Sequence, residues 1–339
     1  MVRVKLAIVL LITVACLFWV LRGIDPDAVK IAVTEARWWL LAPAIGVYWF
    51  THVLRTWRFQ LLANTEQWTV GFWRMFSICA VGFLAIQVVP FRLGELVRPY
   101  LLNEQEGMSI GHALAAVVLE RLTDFLMLLG LLAVVAFAVD LPSALLIGGV
   151  DVVVTAQRIV GGLLLTGLVF LAILVGVGEP AATWLGARLT WVPAVGPRLG
   201  GFLLNFARAP RSLLARPAVG GLVLLLSVGV WFFTVVGVWL VMLAFDGVPH
   251  HLGAAAVTWA AAISGSIAVP TPGFFGPFEA FVLAALMLWE VDMDAGRTVA
   301  VVIHLSQFGF SILLGGYYLI REGLSLRGIV AASQSAPEA

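Results

Sequence analysis

The sequence contains repeated apolar runs that are long enough to cross a lipid bilayer. A hydrocarbon core of ~30 Å needs about 20 helical residues, and only a helix satisfies the backbone of a single crossing segment. The runs therefore predict an all-α, polytopic integral membrane protein, in which the first run is an uncleaved transmembrane helix. They fall near residues 6–22, 39–61, 113–139, 158–177, 219–245 and 298–320.

Composition also indicates that lipid surrounds this chain. Hydrophobic residues make up 62% of the 339 residues and charged residues only 12%, whereas a soluble domain has roughly 25% charged residues. The formal net charge of +1 gives no indication of a nucleic-acid partner. Cys16 and Cys79 lie inside apolar runs, so we interpret them as small buried side chains and predict neither a disulfide nor a metal site.

Two further apolar segments, 72–102 and 254–289, are interrupted, and a glutamate follows each interruption. Proline and glycine stop a helix and let the chain turn. Broken backbone at membrane depth is tolerated only inside protein or beside water, which favours two re-entrant helix hairpins. The alternative is a pair of ordinary helices joined by an interfacial loop. The predicted turn residues are Pro90 and Gly94 in the first segment, and Pro270, Pro272, Gly273 and Gly276 in the second.

Re-entrant hairpins would leave six crossings and place both termini on one side of the membrane. With the termini in the cytoplasm, fifteen of the twenty Lys and Arg residues lie on the inner side, as the positive-inside rule expects. Each half then has three crossings and one hairpin, which predicts an inverted repeat with halves of about 1–140 and 158–325. Residues 1–325 form the predicted membrane domain, and 326–339 a short polar tail.

The first interrupted segment contains Arg92, Glu95 and Arg98. Charged groups in a membrane are costly and are therefore candidates for function. Glu95 and Arg98 stand three residues apart and can pair on one helix face, while an arginine in the turn suits a phosphate group. The alternative for the arginines is anchoring at the cytoplasmic interface.

Glu120, Arg121 and Asp124 stand at the start of a predicted helix over 119–139. The helix macrodipole favours acidic groups there, so capping is one interpretation. Three charges exceed what capping requires, however, and the carboxylates are candidate partners for Arg92 or Arg98.

On the run 39–61, His52, Arg55 and Arg58 recur every three residues and share one face. The simpler interpretation is that these cations extend to the cytoplasmic interface; His52 and Arg55 are secondary site candidates. In the second interrupted segment, Glu279 is a candidate for binding substrate or a proton. His304 and Gln307, three apart on the last helix, could face Glu279 or form a packing pair.

The sequence lacks a phosphate-binding loop, a nucleophile elbow and a zinc-protease motif. We therefore predict no catalytic residues, no cofactor and no metal. The protein is not expected to be an enzyme.

Three of these motifs occur together, in the same order, in a known family. They are Pro90-Phe-Arg-Leu-Gly-Glu-Leu-Val-Arg98, Glu120-Arg-x-x-Asp124 and Pro272-Gly-x-x-Gly-x-x-Glu279. On these residues the chain, over about 1–325, resembles the transmembrane, flippase-like domain of lysylphosphatidylglycerol synthases and its stand-alone relatives. The resemblance implies a central cavity that moves anionic or aminoacylated phospholipids between leaflets. Since the sequence ends at Ala339 with no aminoacyl-transferase domain, it implies a stand-alone member that transfers no lysine.

The first functional hypothesis is a lipid translocator in the cell membrane. Arg92 and Arg98 would bind the lipid phosphate, nearby carboxylates would hold the arginines, and Glu279 would bind a cationic headgroup or a proton. The second is a membrane enzyme acting on a lipid-phosphate or polyprenyl-phosphate carrier, with a divalent metal at Glu120 and Asp124. The third is a lipid-binding subunit without transport. The expected partners are membrane phospholipid and the bilayer, with a second copy of the chain as a further candidate.

Overall fold

The computed structural model describes residues 26–89, 94–139, 146–147, 150–189, 200, 203–204, 207, 215–268 and 271–325. The predicted first transmembrane helix, the polar tail, and the residues Pro90, Arg92 and Pro270 lie outside the described residues.

The described chain is almost entirely helical, as the apolar runs predict. Its helices are α1 (Pro26–Glu35), α2 (Leu41–Ala63), α3 (Phe72–Val88), α4 (Val97–Glu106), α5 (Ile110–Ala138), α6 (Val152–Leu189), α7 (Pro217–Met242), α8 (Leu252–Ala268), α9 (Pro277–Leu286), α10 (Met293–His304) and α11 (Phe310–Arg321). A π-helical turn, Leu305–Gly309, joins α10 to α11. Short 3-10 turns (Trp38–Leu40, 94–96, Pro272–Phe274, Met287–Trp289) and a two-residue antiparallel ladder, β1 (Leu146–Ile147) with β2 (Val150–Asp151), are also present.

Four helical segments within the described residues are long and apolar enough to cross a membrane: 110–138, 161–188, 217–242 and 293–321. They match four of the predicted runs, so the protein is an all-α polytopic membrane protein. α2 is also 23 residues long, but it carries Arg55 and Arg58. α6 continues through Pro180 to Leu189, well past the predicted end of its run at 177.

Glycines allow the closest helix contacts. α2 packs most extensively against α7, where Gly237 leaves room for the ring of Tyr48. α11 packs against α3, and there Gly315 lies against the Ala80 carbonyl. Small residues at membrane helix contacts let backbones approach and increase van der Waals contact.

The first interrupted segment forms an antiparallel helical hairpin. Gly82 of α3 lies against Arg98 of α4, and Gly94 lies against the backbone of Ala85. The chain therefore reverses direction between α3 and α4, as predicted. Arm lengths of 17 and 10 residues are short of the ~20 residues of a full crossing.

The second interrupted segment, α8 and α9, forms a hairpin of the same kind. Gly265 of α8 lies against the ring of Phe281 of α9. The 3-10 turn Pro272–Phe274, at the tip of this hairpin, packs against α3 of the first hairpin. The two hairpins therefore meet near the interruption of each apolar segment.

Candidate functional site

A cavity of about 440 Å³ lies between the two hairpins and is lined by α2, α3, α5, α7, α8 and the turns beside α9 and α11. Its wall contains aromatic and hydroxyl side chains, including Tyr48, Trp259 and Ser311. It also contains six charged side chains: Arg55, Arg58, Glu95, Glu120, Arg121 and Asp124. A mostly apolar cavity of this size, with a few charged groups in its wall, can hold a small charged group.

Glu120 is the centre of an ion-pair network beside the cavity. Its carboxylate oxygens lie 2.6 Å from Nη1 of Arg98, 3.0 Å from Nη2 of Arg121 and 3.2 Å from Nη2 of Arg58. Glu120, Arg58 and Arg98 are almost fully buried. Buried charges are stable only when paired, so this network must form as a unit.

Asp124 extends the network one helical turn further along α5. Its carboxylate lies 2.8 Å from Nη1 of Arg58 and 3.2 Å from Nη2 of Arg121, and it accepts a 3.4 Å hydrogen bond from Nε1 of Trp231. Glu95, at the turn of the first hairpin, lies 3.8 Å from Nε of Arg121. Ion pairs therefore join the first hairpin, α2 and α5, and a hydrogen bond from Trp231 connects α7 to them.

The helix containing Glu120 and Asp124 begins earlier than the sequence predicts. α5 starts at Ile110, with Ser109 as its N-cap, so both carboxylates lie well past the first turn, near the middle of a 29-residue helix. Favourable interaction with the helix N-terminus, which falls off within the first turn, does not explain them. Their positive partners do.

Arg98 lies beneath the cavity wall. Its guanidinium packs over Phe59 at 4.5 Å and Phe83 at 5.3 Å from the ring centroids, and it is fully buried. It pairs with Glu120, one of the two carboxylates that the sequence offered as its partner, and not with Glu95, the neighbour on its own helix face. Arg58 is also buried, so the prediction that it extends to the membrane interface is wrong for this residue.

Arg55 differs from the other three arginines. It lines the cavity and lies over Phe83 at 5.4 Å, but no described carboxylate comes within 4.0 Å of its guanidinium. Within the described part of this cluster, four guanidinium groups face three carboxylates. One positive charge is therefore left to attract an anion.

Glu279 occupies a separate, buried position in the second hairpin. Its Oε2 accepts a 2.7 Å hydrogen bond from the backbone N–H of Gly276, and its Oε1 lies 2.5 Å from Nδ1 of His304. Glu279 and His304 do not line the cavity, whereas Gln307 does. His304 thus contacts Glu279, which is one of the two arrangements that the sequence allowed.

His52, the remaining secondary candidate, lines the cavity and lies 3.1 Å from the hydroxyl of Ser311. The sequence analysis did not predict the two residues that α7 contributes. They are Ser227, whose hydroxyl lies 3.2 Å from Arg58, and Trp231, whose indole donates to Asp124. No charge or motif marks these two residues in an apolar helix. The three-residue spacing of His52, Arg55 and Arg58 was the available signal for α2.

A comparison with protein families identifies the family to which the chain belongs. The family described as "Lysylphosphatidylglycerol synthase TM region" matches residues 4–315. The chain belongs to this family. No curated protein and no solved structure matches it.

The lysylphosphatidylglycerol synthase TM region is a membrane domain linked to lipid handling. Membership confirms the resemblance inferred from the three motifs. The family match and the four long apolar helices together place the protein in a membrane.

Proposed function

We propose that this protein moves a phospholipid between leaflets by passing its headgroup through the cavity between the two hairpins. The observation that carries the proposal is Arg55, a cavity-lining cation with no described carboxylate within 4.0 Å. A phosphodiester carries one negative charge, which matches the single excess positive charge of the cluster. Charge-assisted hydrogen bonds from a guanidinium suit phosphate oxygens.

The cluster would lower the main barrier to lipid movement, the transfer of a charged headgroup through hydrocarbon. A preformed polar wall replaces the water that the headgroup loses, because its charges are already held in place. Arg55 and Arg121 are the proposed phosphate ligands, since both line the cavity. Glu120 is a positioning residue that holds Arg58 and Arg121, and Arg98 holds Glu120 in place. Arg92 remains a proposed ligand from the sequence.

The hairpins are proposed to be re-entrant and related as an inverted repeat. Arms of 17 and 10 residues in each hairpin, and the contact between the second tip and α3, support this proposal. Opposed broken helices that meet near the midplane are a common substrate site in transporters. We further propose that the chain crosses the plasma membrane six times and that both termini lie in the cytoplasm.

The acyl chains would stay in the bilayer by leaving the cavity between α5 and α8. Phe125 of α5 and Ile267 of α8 line the cavity and are also 46% and 47% exposed. α5 and α8 are close at their other ends, where Gly253 lies against Val139. The two helices thus provide an apolar gap at one end and contact at the other.

Replacing Arg55 with alanine is expected to slow lipid movement by roughly tenfold or more, because a hydrogen bond to a charged group contributes about 1.5–3 kcal/mol. The measurement uses proteoliposomes that contain a fluorescent anionic lipid and a membrane-impermeant quencher added outside. The rate at which inner-leaflet fluorescence is lost to the quencher reports lipid movement. Arg188→Ala is the matched control, since Arg188 is exposed on α6 and stacks on Trp184. Equal rates for wild type and Arg55→Ala would contradict the proposal.

Blocking the gap between α5 and α8 is expected to stop lipid movement without unfolding the protein. Phe125→Cys or Ile267→Cys, in a background with both native cysteines replaced, would be labelled with a bulky maleimide. The same label on Val134→Cys is the control, because Val134 is 53% exposed on the same helix but does not line the cavity. Equal inhibition at all three positions would argue against a gap at this place.

The two other hypotheses predict different results with purified protein. Metal-dependent turnover of a lipid-phosphate carrier would favour an enzyme, although Glu120 and Asp124 are already engaged by arginines. Lipid binding without any movement between leaflets would favour a non-transporting subunit.

A further inference from the structure

Glu279 of the second hairpin and His304 of α10 form a buried acid–histidine pair that the proposed lipid path does not use. Nδ1 of His304 lies 2.5 Å from Oε1 of Glu279, and the two side chains are 1% and 3% exposed. Neither lines the cavity. A buried ionisable pair in a membrane is costly and calls for an explanation.

Hydrogen-bond geometry determines how many protons this pair must hold. Nε2 of His304 lies 2.9 Å from the carbonyl oxygen of Gly273; a carbonyl only accepts, so Nε2 carries a hydrogen. Between Nδ1 and Oε1 there is then either an N–H donating to a carboxylate or a carboxylic O–H donating to a neutral imidazole. Both states contain one proton. Without it, a nitrogen lone pair would face a carboxylate oxygen at 2.5 Å.

Nothing charged in the described surroundings substitutes for that proton. His304 is enclosed by the rings of Phe275, Phe278 and Phe308, at centroid distances of 4.4–4.6 Å. α7 and α8 contain no acidic, basic, histidine, cysteine or tyrosine residue. On the other elements around the pair, none of the described titratable groups forms an ion pair with Glu279 or His304: Tyr48, His52, Arg55 and Arg58 on α2, Arg74 and Cys79 on α3, Asp294 and Arg297 on α10, and Tyr317, Tyr318 and Arg321 on α11.

The pair also holds a strained turn that forms part of the cavity wall. Gly273 and Phe274 both have left-handed backbone, with φ of 62° and 61°, and for a bulky residue such as Phe274 this conformation is unfavourable. The side chain of Phe274 lines the cavity. The bond from His304 to the Gly273 carbonyl is therefore placed to hold the turn against its strain.

The π-helical turn connects the same histidine to an adjacent part of the cavity wall, where the ring of Phe308 lies 5.5 Å from that of Phe274. It begins at Leu305, directly after His304, and contains the cavity-lining residues Gln307 and Phe308. Extra residues of this kind in a helix occur frequently at functional sites. A shift of His304 would therefore move both the hairpin tip and the cavity-lining face of this turn.

We propose that Glu279 and His304 form a one-proton binding site whose occupancy closes the tip of the second hairpin over the cavity. Release of the proton to cavity water would leave a carboxylate beside a neutral imidazole. Their repulsion would then free the Gly273 carbonyl and let the strained tip open. Binding and release of this proton would then be coupled to lipid movement. That coupling rests on the proposed function, whereas the opening of the tip does not rest on it.

The test is hydrogen–deuterium exchange of the 271–276 segment in full-length protein in liposomes, at about pH 5.5 and about pH 8.5, where the proton concentration differs roughly a thousandfold. After correction for the intrinsic pH dependence of amide exchange, we expect roughly tenfold faster exchange at the higher pH. Unchanged corrected exchange in the wild-type protein would overturn the proposal.

Glu279→Gln separates proton binding from simple destabilisation. A glutamine amide can donate to neutral Nδ1 of His304 and accept from the Gly276 N–H without any bound proton. We therefore expect slow tip exchange at both pH values. His112→Gln is the control, since His112 is also bound to a backbone carbonyl, that of Ala63 at 2.8 Å, and should keep the wild-type response. A Glu279→Gln variant with the full wild-type pH response would overturn the proposal.

Lipid movement measured in the same liposomes distinguishes the two proposals. If the tip responds to pH but no lipid moves, the proton site stands and the translocator function fails. If lipid moves but the exchange of residues 271–276 does not depend on pH, the translocator function is supported and the proton site is contradicted.

Discussion

Replacing Glu120 with alanine is expected to destabilise the protein by about 3–5 kcal/mol, the cost of leaving buried charges without their partner. Glu120 is 0% exposed and lies within 3.2 Å of the guanidinium groups of Arg58, Arg98 and Arg121. Without it, Arg98 loses its only described ion-pair partner. The measurement is the free energy of unfolding in detergent, followed by helical circular dichroism against denaturant.

A second substitution tests whether unpaired charge is the cause. Arg98→Met in the Glu120→Ala background removes the stranded cation and puts an apolar side chain between Phe59 and Phe83, so it should recover part of the loss. Asp124→Asn is the matched control, because Asp124 is 22% exposed and its replacement should cost less. A Glu120→Ala variant as stable as wild type would show that the network does not stabilise the fold.

Gly94→Ala is expected to open the first hairpin and to abolish lipid movement. A Cβ at residue 94 would overlap the backbone of Ala85, and a backbone clash is not relieved by a change of rotamer. Overpacking of well-packed sites costs about 1–3 kcal/mol, occasionally more. Because Glu95 follows directly, the shift would also move it away from Arg121. Thermal unfolding and the proteoliposome assay would measure the two effects.

Gly130→Ala is the control for this substitution. Gly130 lies inside α5 with nothing within 4 Å of an added Cβ, so alanine should be neutral or stabilising by roughly 0.5–1 kcal/mol. Similar losses for Gly94→Ala and Gly130→Ala would indicate that the close approach at residue 94 is unimportant.

The long apolar helices and their two interruptions could be predicted from the sequence because they depend on local properties of the chain. A run of about 20 apolar residues requires a lipid environment whatever its neighbours are. Proline and glycine interrupt helices through their own backbone chemistry. The reversal of direction between α3 and α4, and between α8 and α9, follows from those residues. The role of Arg92 as a phosphate ligand and the re-entrant depth of the hairpins stay predictions.

Partner choice among the charged residues could not be read in the same way. Spacing of three residues offered Glu95 as a partner for Arg98, and the carboxylates of the next helix were the other candidates. The structure selects Glu120, at 2.6 Å. The position of a helix start also misled the interpretation of Glu120 and Asp124, because α5 begins at Ile110. Arg58, interpreted as an interfacial cation, pairs with both of these carboxylates.

By itself, the sequence determined that this protein is a helical membrane protein, where its helices break, and which residues carry charge into lipid. Only the tertiary structure decided that Arg55 is the cavity-lining cation without a described carboxylate partner, and that Glu279 is joined to His304 instead of facing the cavity. The physical reason is that burial cost makes a charge in the membrane pair with another group or face a cavity. Which partner it finds depends on how helices far apart in sequence rotate and pack. The two broken segments mark the site, and the packing of α2 and α5 between them sets its charge.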